Sequence, residues 1–335
     1  MTLLRLFSQR SCLPRPLGPV LQLTIAFFLI LCGPRAVPAA DNPKPPSSPV
    51  KLIFIHHSSG ENWLADCNGR LGIALRNSNY FVSDTNYGWG PRDLDVGFDR
   101  IGDHTDLGHW YNWFAGPNRS RYTKALYAES GQHCDYSRLS QDPGGPNEII
   151  LFKSCFPNSN LGGKPTAKPP AGENPLRGQD AYSPYMKVGY AKGIYNDILQ
   201  YFETRRDKLF VVITAPPLNP NETSAAQAAN ARAFNLWLVN EWLKDYPHSN
   251  VGVFDFYNVL TSNGGDPRTT DLGKARGNHH RWWAGALQHI HTVNRNVAAY
   301  PSGSDDSHPN RVGNRKATGE FVKVLNVLYH RWKAD

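Results

Sequence analysis

Five short apolar stretches, separated by segments with helical periodicity, constrain the fold of this chain more than any other feature. These stretches are rich in β-branched and aromatic residues and lie within 50–55, 80–85, 148–155, 209–217 and 251–259. Three segments with apolar residues at three- and four-residue spacing are candidate helices: 190–206, 225–246 and 316–332. Short strands alternating with amphipathic helices are typical of right-handed crossover connections. We therefore predict an α/β fold with a doubly wound, mostly parallel, five-stranded sheet flanked by helices.

The first 40 residues differ in character from the rest of the chain. Arginines precede the apolar run 21–32, and small residues at 36–40 follow it. This order predicts a secretory signal peptide over 1–40, with a signal anchor as the alternative. Proline and serine in 41–49 predict a flexible linker, followed by one domain over 50–335. We expect a secreted or periplasmic protein with no stable membrane span after signal removal, because the apolar run is short for a bilayer.

Charge and cysteine content narrow the possible partners and cofactors. The leader contains four arginines and no acidic residue, so the formal net charge of +8 falls to about +4 after its removal. No basic run is present, and we expect no nucleic-acid partner. Cys67, Cys134 and Cys155 remain, and one disulfide plus one free thiol is the simplest expectation, with the pairing open. None lies in a CxxC or CxxH spacing, so we expect no metal or other cofactor.

Two polar segments at opposite ends of the predicted domain carry candidate catalytic residues. Ser58 directly follows the first strand, where a strand-to-helix turn projects a hydroxyl beside free backbone N–H groups. Asp305 and His308 lie three residues apart in a Gly/Ser/Pro-rich segment before the last helix. If these segments meet, Asp305 orients His308, which accepts the Ser58 proton. Helix capping by Ser58 and a solvated acidic turn are the structural alternatives.

These residues resemble the motifs of the SGNH, or GDSL-type, hydrolase superfamily over most of the domain. The resemblance comprises a strand ending in serine, an Asn-x-Gly segment, a strand ending near asparagine and a terminal Asp-x-x-His. It implies a flavodoxin-like three-layer sandwich and acyl-enzyme chemistry, with Ser58 as nucleophile, His308 as general base and Asp305 orienting the histidine. The usual Gly-Asp-Ser-Leu is replaced by His56-His57-Ser58-Ser59, which leaves Ser59 as a second candidate nucleophile.

The same resemblance implies two donors for an oxyanion hole. The amide of Gly88, in Asn-Tyr-Gly-Trp-Gly, matches the family's glycine, with Gly90 as the second choice. The side chain of Asn158 falls where the family's asparagine is expected, with Asn160 as the second choice. Either asparagine could instead stabilise a turn.

Two irregular segments, about 86–142 and 162–185, are expected to be long loop insertions on the substrate side of the domain. Aromatic faces beside polar groups suit sugar rings, and a core or loop-anchoring role is the alternative. The candidate substrate-binding residues are His57, Trp89, His104, Asp106, Trp110 and Trp282.

The sequence therefore favours an exported serine hydrolase, an esterase that removes acetyl or other acyl groups from a polysaccharide or oligosaccharide. A glycosidase or lyase on the same fold is one alternative. A noncatalytic glycan-binding protein is another.

Overall fold

A five-stranded parallel sheet forms the centre of the domain in the computed structural model, which describes residues 41–91 and 100–335. The strand order is β2-β1-β3-β4-β5, and every strand residue is buried. The predicted five-stranded α/β sheet is confirmed, and all of its pairings are parallel. The strands are β1 (Val50–Ile55), β2 (Tyr80–Thr85), β3 (Ile149–Lys153), β4 (Leu209–Ile213) and β5 (Val251–Phe254).

Helices cover both faces of the sheet and give three layers. Side chains alternate across a strand, so Ile53 and Ile55 join one core while Leu52 and Phe54 join the other. Helices α3 to α6 pack on the first core, and α1, α2, α7 and α8 on the second. The helices are α1 (Ser58–Leu64), α2 (Leu71–Arg76), α3 (Trp110–Phe114), α4 (Arg119–Ala128), α5 (Val188–Glu203), α6 (Ala225–Asn240), α7 (Phe256–Val259) and α8 (Arg311–Ala334).

The two predicted loop insertions differ in structure. Segment 86–142 contains α3 and α4, and its Trp110 and Trp113 are fully buried in the first core. The prediction of a long irregular loop is therefore wrong for this segment, because it contains two helices and its aromatic residues pack in the core. Segment 162–185 contains no helix or strand. Its first residue, Gly162, forms a parallel bridge with Lys187, two residues beyond its last.

Two antiparallel hairpins follow β5, and the sequence pattern did not predict them. The first pairs β6 (Asn278–Trp283) with β7 (Ala286–His291), and β6 packs against α8. The second pairs β8 (Pro301–Gly303) with β9 (Asp306–Pro309), directly before α8. The second hairpin matters for function because it carries the acidic and histidine residues singled out above.

The predicted flexible linker 41–49 instead lies against the domain. Asp41 pairs with Arg331 of α8 at 2.7 Å, and Asn326 donates to the Pro43 carbonyl at 2.9 Å. These contacts explain why a proline-rich segment is ordered here. The predicted signal peptide 1–40 lies outside the described residues. Within the described residues, no helix has the length and apolar character needed to cross a bilayer.

Candidate active site

Ser58 and His308 meet at the carboxyl edge of the sheet. Ser58 is the first residue of α1, just beyond the end of β1, and its hydroxyl lies 2.7 Å from His308 Nε2. The two residues are 250 positions apart in the chain. The predicted contact between the two ends of the domain is therefore present.

The carboxylate that contacts His308 belongs to Asp306, which corrects the assignment of Asp305. Asp306 Oδ1 lies 2.6 Å from His308 Nδ1 and also accepts the His308 backbone N–H at 2.9 Å. Asp306 and His308 are alternate residues of β9, so their side chains share a face. Asp305 lies in the β8–β9 turn, where its carboxylate accepts a hydrogen bond from Asn221 at 3.0 Å.

Ser307, between these two residues, faces the opposite way and anchors the hairpin. Its hydroxyl accepts the backbone N–H of Asn219 at 2.8 Å and donates to Glu222. The Asn219 side chain donates in turn to the Gly303 and Ser304 carbonyls, each at 3.1 Å. The segment after β4 thus holds β9 in place over Ser58.

The hydrogen bonds define which nitrogen of His308 can act as a base. A carboxylate only accepts, so Nδ1–H donates to Asp306 and Nε2 presents its lone pair to the Ser58 hydroxyl. Burial opposes ionisation of Asp306, but its hydrogen bonds with His308 lower the pKa of the carboxyl. The arrangement is a serine–histidine–aspartate triad in geometry and polarity.

Cys155 lies beside the triad. It follows β3, the neighbour of β1, and its Sγ is 3.7 Å from Ser58 Oγ. Burial opposes ionisation of this thiol, but a hydrogen bond with His308 and the positive charge of Lys153 lower its pKa to about 6. The contact with Cys155 is in turn the main reason that the pKa of His308 is raised, with burial opposing and Asp306 assisting.

Ser59, the second candidate nucleophile, is completely buried beneath the site. Its hydroxyl accepts hydrogen bonds from Lys153 Nζ and from Cys155 Sγ, the latter at 3.2 Å. Burial also lowers the pKa of Lys153 to about 8. Ser58 is the serine with partial exposure and with a histidine partner.

The two predicted oxyanion donors already have partners. Asn158 is buried, donates to Asp106 at 2.5 Å and to the Cys155 carbonyl at 3.2 Å, and accepts the Leu107 N–H at 2.7 Å. The Gly88 N–H donates to Asp103 at 3.1 Å. The prediction that these groups point at an oxyanion is wrong in this conformation, because both serve to fold the 86–109 segment.

For the second choices, the contacts involve acceptor oxygens: Asn160 Oδ1 lies 3.4 Å from the Thr223 hydroxyl, and the Gly90 carbonyl accepts a hydrogen bond from Arg100. These contacts do not engage the N–H groups of either residue, so both second choices stay predictions.

Tyr87, which the sequence pattern did not single out, contacts Ser58 directly. Its phenol lies next to the hydroxyl and the backbone N–H of Ser58, and both groups act to lower the phenol's pKa. Its ring stacks on His57, with centroids 4.0 Å apart, and 60% of the residue is exposed. Burial raises the pKa of the phenol, so it stays protonated and able to donate.

Most of the predicted substrate-binding residues are structural. Trp89 and Trp110 are buried, and their indole N–H groups donate to Glu129 at 2.6 Å and to Ser154 at 3.0 Å. They anchor the 86–142 segment, so their assignment to sugar binding is wrong.

The remaining candidates of this set are also mostly structural. The His104 ring packs edge-on against His109, and Asp106 accepts from Asn158 and from the Ala181 N–H. Trp282 pairs with Leu287 in the β6–β7 hairpin. His57, at the N-cap position of α1 next to Ser58, is the member of the set beside the nucleophile.

The predicted disulfide is also wrong for this structure. Cys67, Cys134 and Cys155 are all free: Cys67 is exposed, Cys134 contacts Asp84 and Cys155 contacts Ser59.

No family model, curated protein or solved structure matches this chain.

Proposed function

We propose that this protein is a serine-dependent ester hydrolase of the SGNH type, exported from the cell. The observation that carries the proposal is the continuous chain from the Ser58 hydroxyl through the His308 imidazole to the Asp306 carboxylate, with contacts of 2.7 and 2.6 Å. A signal-like leader supports export, and the sheet topology and the order of the motifs support the resemblance.

The triad would act by general base and then general acid catalysis. His308 Nε2 accepts the Ser58 proton while Ser58 Oγ forms a bond to the acyl carbon, and the histidine then gives that proton to the leaving alkoxide. A water molecule repeats the sequence, releases the carboxylic acid and restores the Ser58 hydroxyl. Asp306 keeps Nδ1 protonated throughout and stabilises the imidazolium that forms in each step.

Tyr87 and the Ser58 backbone N–H are the donors placed to stabilise the oxyanion. The Ser58 N–H begins α1, and stacking on His57 holds the phenol beside Ser58, where the substrate carbonyl must lie during attack. Donors directed at a developing oxyanion usually contribute about two to three orders of magnitude to kcat. This arrangement replaces the glycine and asparagine donors that the family resemblance implies.

The proposed substrate class is an acyl ester of a polysaccharide or oligosaccharide. The resemblance and the leader support it, and the exposed face of Tyr87 provides an aromatic surface next to the nucleophile. The buried tryptophans give it no support. If Ser58→Ala abolishes release of acetate but the protein still cleaves the sugar chain, the glycosidase or lyase alternative gains support. If the protein binds oligosaccharide and hydrolyses no ester, the glycan-binding alternative gains support.

A second candidate reaction uses Cys155 as the nucleophile, with the same histidine. Its position beside Ser58 and its lowered pKa, about 6, favour a reactive thiolate. Two experiments, covalent labelling and assays of esterase activity, distinguish the reactions. A fluorophosphonate should label Ser58, and labelling should disappear in Ser58→Ala but persist in Cys155→Ser. Loss of esterase activity in Cys155→Ser with retention in Ser58→Ala would instead identify a thiol hydrolase, with Cys67→Ser as the control for a general thiol effect.

A further inference from the structure

A second polar cluster, separate from the triad, lies directly behind the Ser58 turn. His56 follows β1, Asp84 belongs to β2 and Cys134 comes from the segment after α4. His56 and Asp84 are fully buried, and Cys134 is half-buried. The proposed ester hydrolysis uses none of these three side chains.

The three ligand atoms form a triangle of metal-site dimensions. His56 Nε2 to Asp84 Oδ2 is 3.2 Å, Cys134 Sγ to Asp84 Oδ2 is 3.4 Å, and Cys134 Sγ to His56 Nε2 is 3.9 Å. Tetrahedral zinc, with bonds of about 2.0 Å to N or O and about 2.3 Å to S, requires edges of about 3.3 Å for N–O and about 3.5 Å for each edge to S. The observed edges therefore differ from a zinc site by no more than about 0.4 Å.

The orientation of His56 provides an independent argument. Its Nδ1 lies 2.9 Å from the His57 carbonyl, which can only accept, so Nδ1 carries a hydrogen and Nε2 faces Asp84 and Cys134. Metal-binding histidines almost always use their second ring nitrogen in this way. Gly60 packs closely over the ring, where an added Cβ would lie 2.3 Å from the His56 Cβ.

Asp84 is oriented by a similar outer shell. Its Oδ1 accepts the backbone N–H of His133 at 2.8 Å and the Tyr136 hydroxyl at 2.9 Å. Oδ2 then faces His56 and Cys134. Hydrogen-bonded second shells of this kind fix ligating carboxylates.

We propose that His56, Asp84 and Cys134 bind one zinc-like divalent cation that holds the nucleophile-bearing turn to β2. Thiolate, imidazole and carboxylate together select zinc over magnesium or calcium, which prefer oxygen ligands alone. The charges balance, since the cation compensates one carboxylate and one thiolate, and coordination releases the Cys134 thiol proton. A water molecule completes the tetrahedron. The sequence spacing did not indicate this site because its ligands come from three distant segments.

Zinc stoichiometry of the purified full-length chain tests the proposal. The protein is stripped with a chelator, given back zinc, and measured by elemental mass spectrometry. Wild type and Cys67→Ser, which removes an exposed thiol outside the cluster, should each retain one zinc per chain. Cys134→Ser should weaken binding at least about 100-fold, the upper end of the loss seen when even an outer-shell partner is removed. Asp84→Asn should weaken it as well, which provides a second variant if the first misfolds.

Cobalt substitution shows which thiol binds. Wild type and Cys155→Ser should show a thiolate-to-cobalt charge-transfer band that Cys134→Ser lacks. Zinc content below one-tenth per chain in wild type, or unchanged in both Cys134→Ser and Asp84→Asn, would overturn the site and leave the cluster as a histidine–carboxylate–thiol hydrogen-bond network. Zinc binding should be unchanged in Ser58→Ala, so failure of the zinc site and failure of the proposed ester hydrolysis can be told apart.

Discussion

Replacing Asp306 by asparagine should reveal how much of the activity depends on the orientation of His308. Asparagine keeps the shape of the side chain but removes the charge that holds Nδ1–H at 2.6 Å. In buried triads the equivalent change lowers kcat by about 10⁴-fold. The Asp306 side chain is 48% exposed, so water screens its charge and we expect a smaller loss, about 10²- to 10³-fold. At 1.36 kcal/mol per factor of ten, this corresponds to about 3–4 kcal/mol of transition-state stabilisation.

The matched control is Asp305→Asn, one residue away in the same hairpin. Asp305 contacts Asn221 and Ser304 but not His308, so its replacement should change kcat/KM less than about threefold, a surface effect. Both variants are assayed by steady-state hydrolysis of a chromogenic acetyl ester, with circular dichroism to verify folding. If Asp305→Asn loses activity while Asp306→Asn keeps it, the assignment of the orienting carboxylate is wrong.

Three further changes test other parts of the site. The contact with Cys155 is the main cause of the raised His308 pKa, so kcat/KM should fall on acidification at a pH above the ordinary histidine range. Cys155→Ser should move this acidic fall in kcat/KM to lower pH. An unchanged pH profile would show that Cys155 does not raise the His308 pKa. Tyr87→Phe should lower kcat about 10- to 100-fold with little change in KM, less than for a buried oxyanion donor because Tyr87 is exposed, and unchanged kcat would remove the phenol from the mechanism. Gly60→Ala should lower the free energy of unfolding by about 1–3 kcal/mol, measured by chemical denaturation, because the new methyl group clashes with the His56 side chain. The control Gly172→Ala places its methyl group in open space and should be nearly neutral. Equal stabilities of the two variants would show that the Ser58 turn can relax.

The sheet was predictable from sequence because its strands are buried on both faces and are therefore continuously apolar. The meeting of Ser58 with His308 was a hypothesis from the Asp-x-x-His spacing and the family resemblance, and the 2.7 Å contact confirms it. Cys155 could have been found from the strand pattern, because it follows β3 and β3 neighbours β1.

The remaining errors arise from information that local pattern does not contain. The β8–β9 pairing lies in a Gly/Ser-rich stretch without a strand signal, and only that pairing places Asp306 rather than Asp305 beside His308. The tryptophans of 86–142 looked like a sugar-binding surface because composition does not report burial. Asn158 was correctly located after β3, but its amide is used by neighbours that sequence reasoning could not place.

Covalent labelling shows whether Ser58 is the nucleophile and His308 its base. The full-length chain is treated with a fluorophosphonate, digested, and the modified peptide identified by mass spectrometry. We expect one label, on Ser58, lost in Ser58→Ala and strongly slowed in His308→Ala. Label on another residue, or equal labelling of the His308→Ala variant, would rule out Ser58 activated by His308 as the nucleophile.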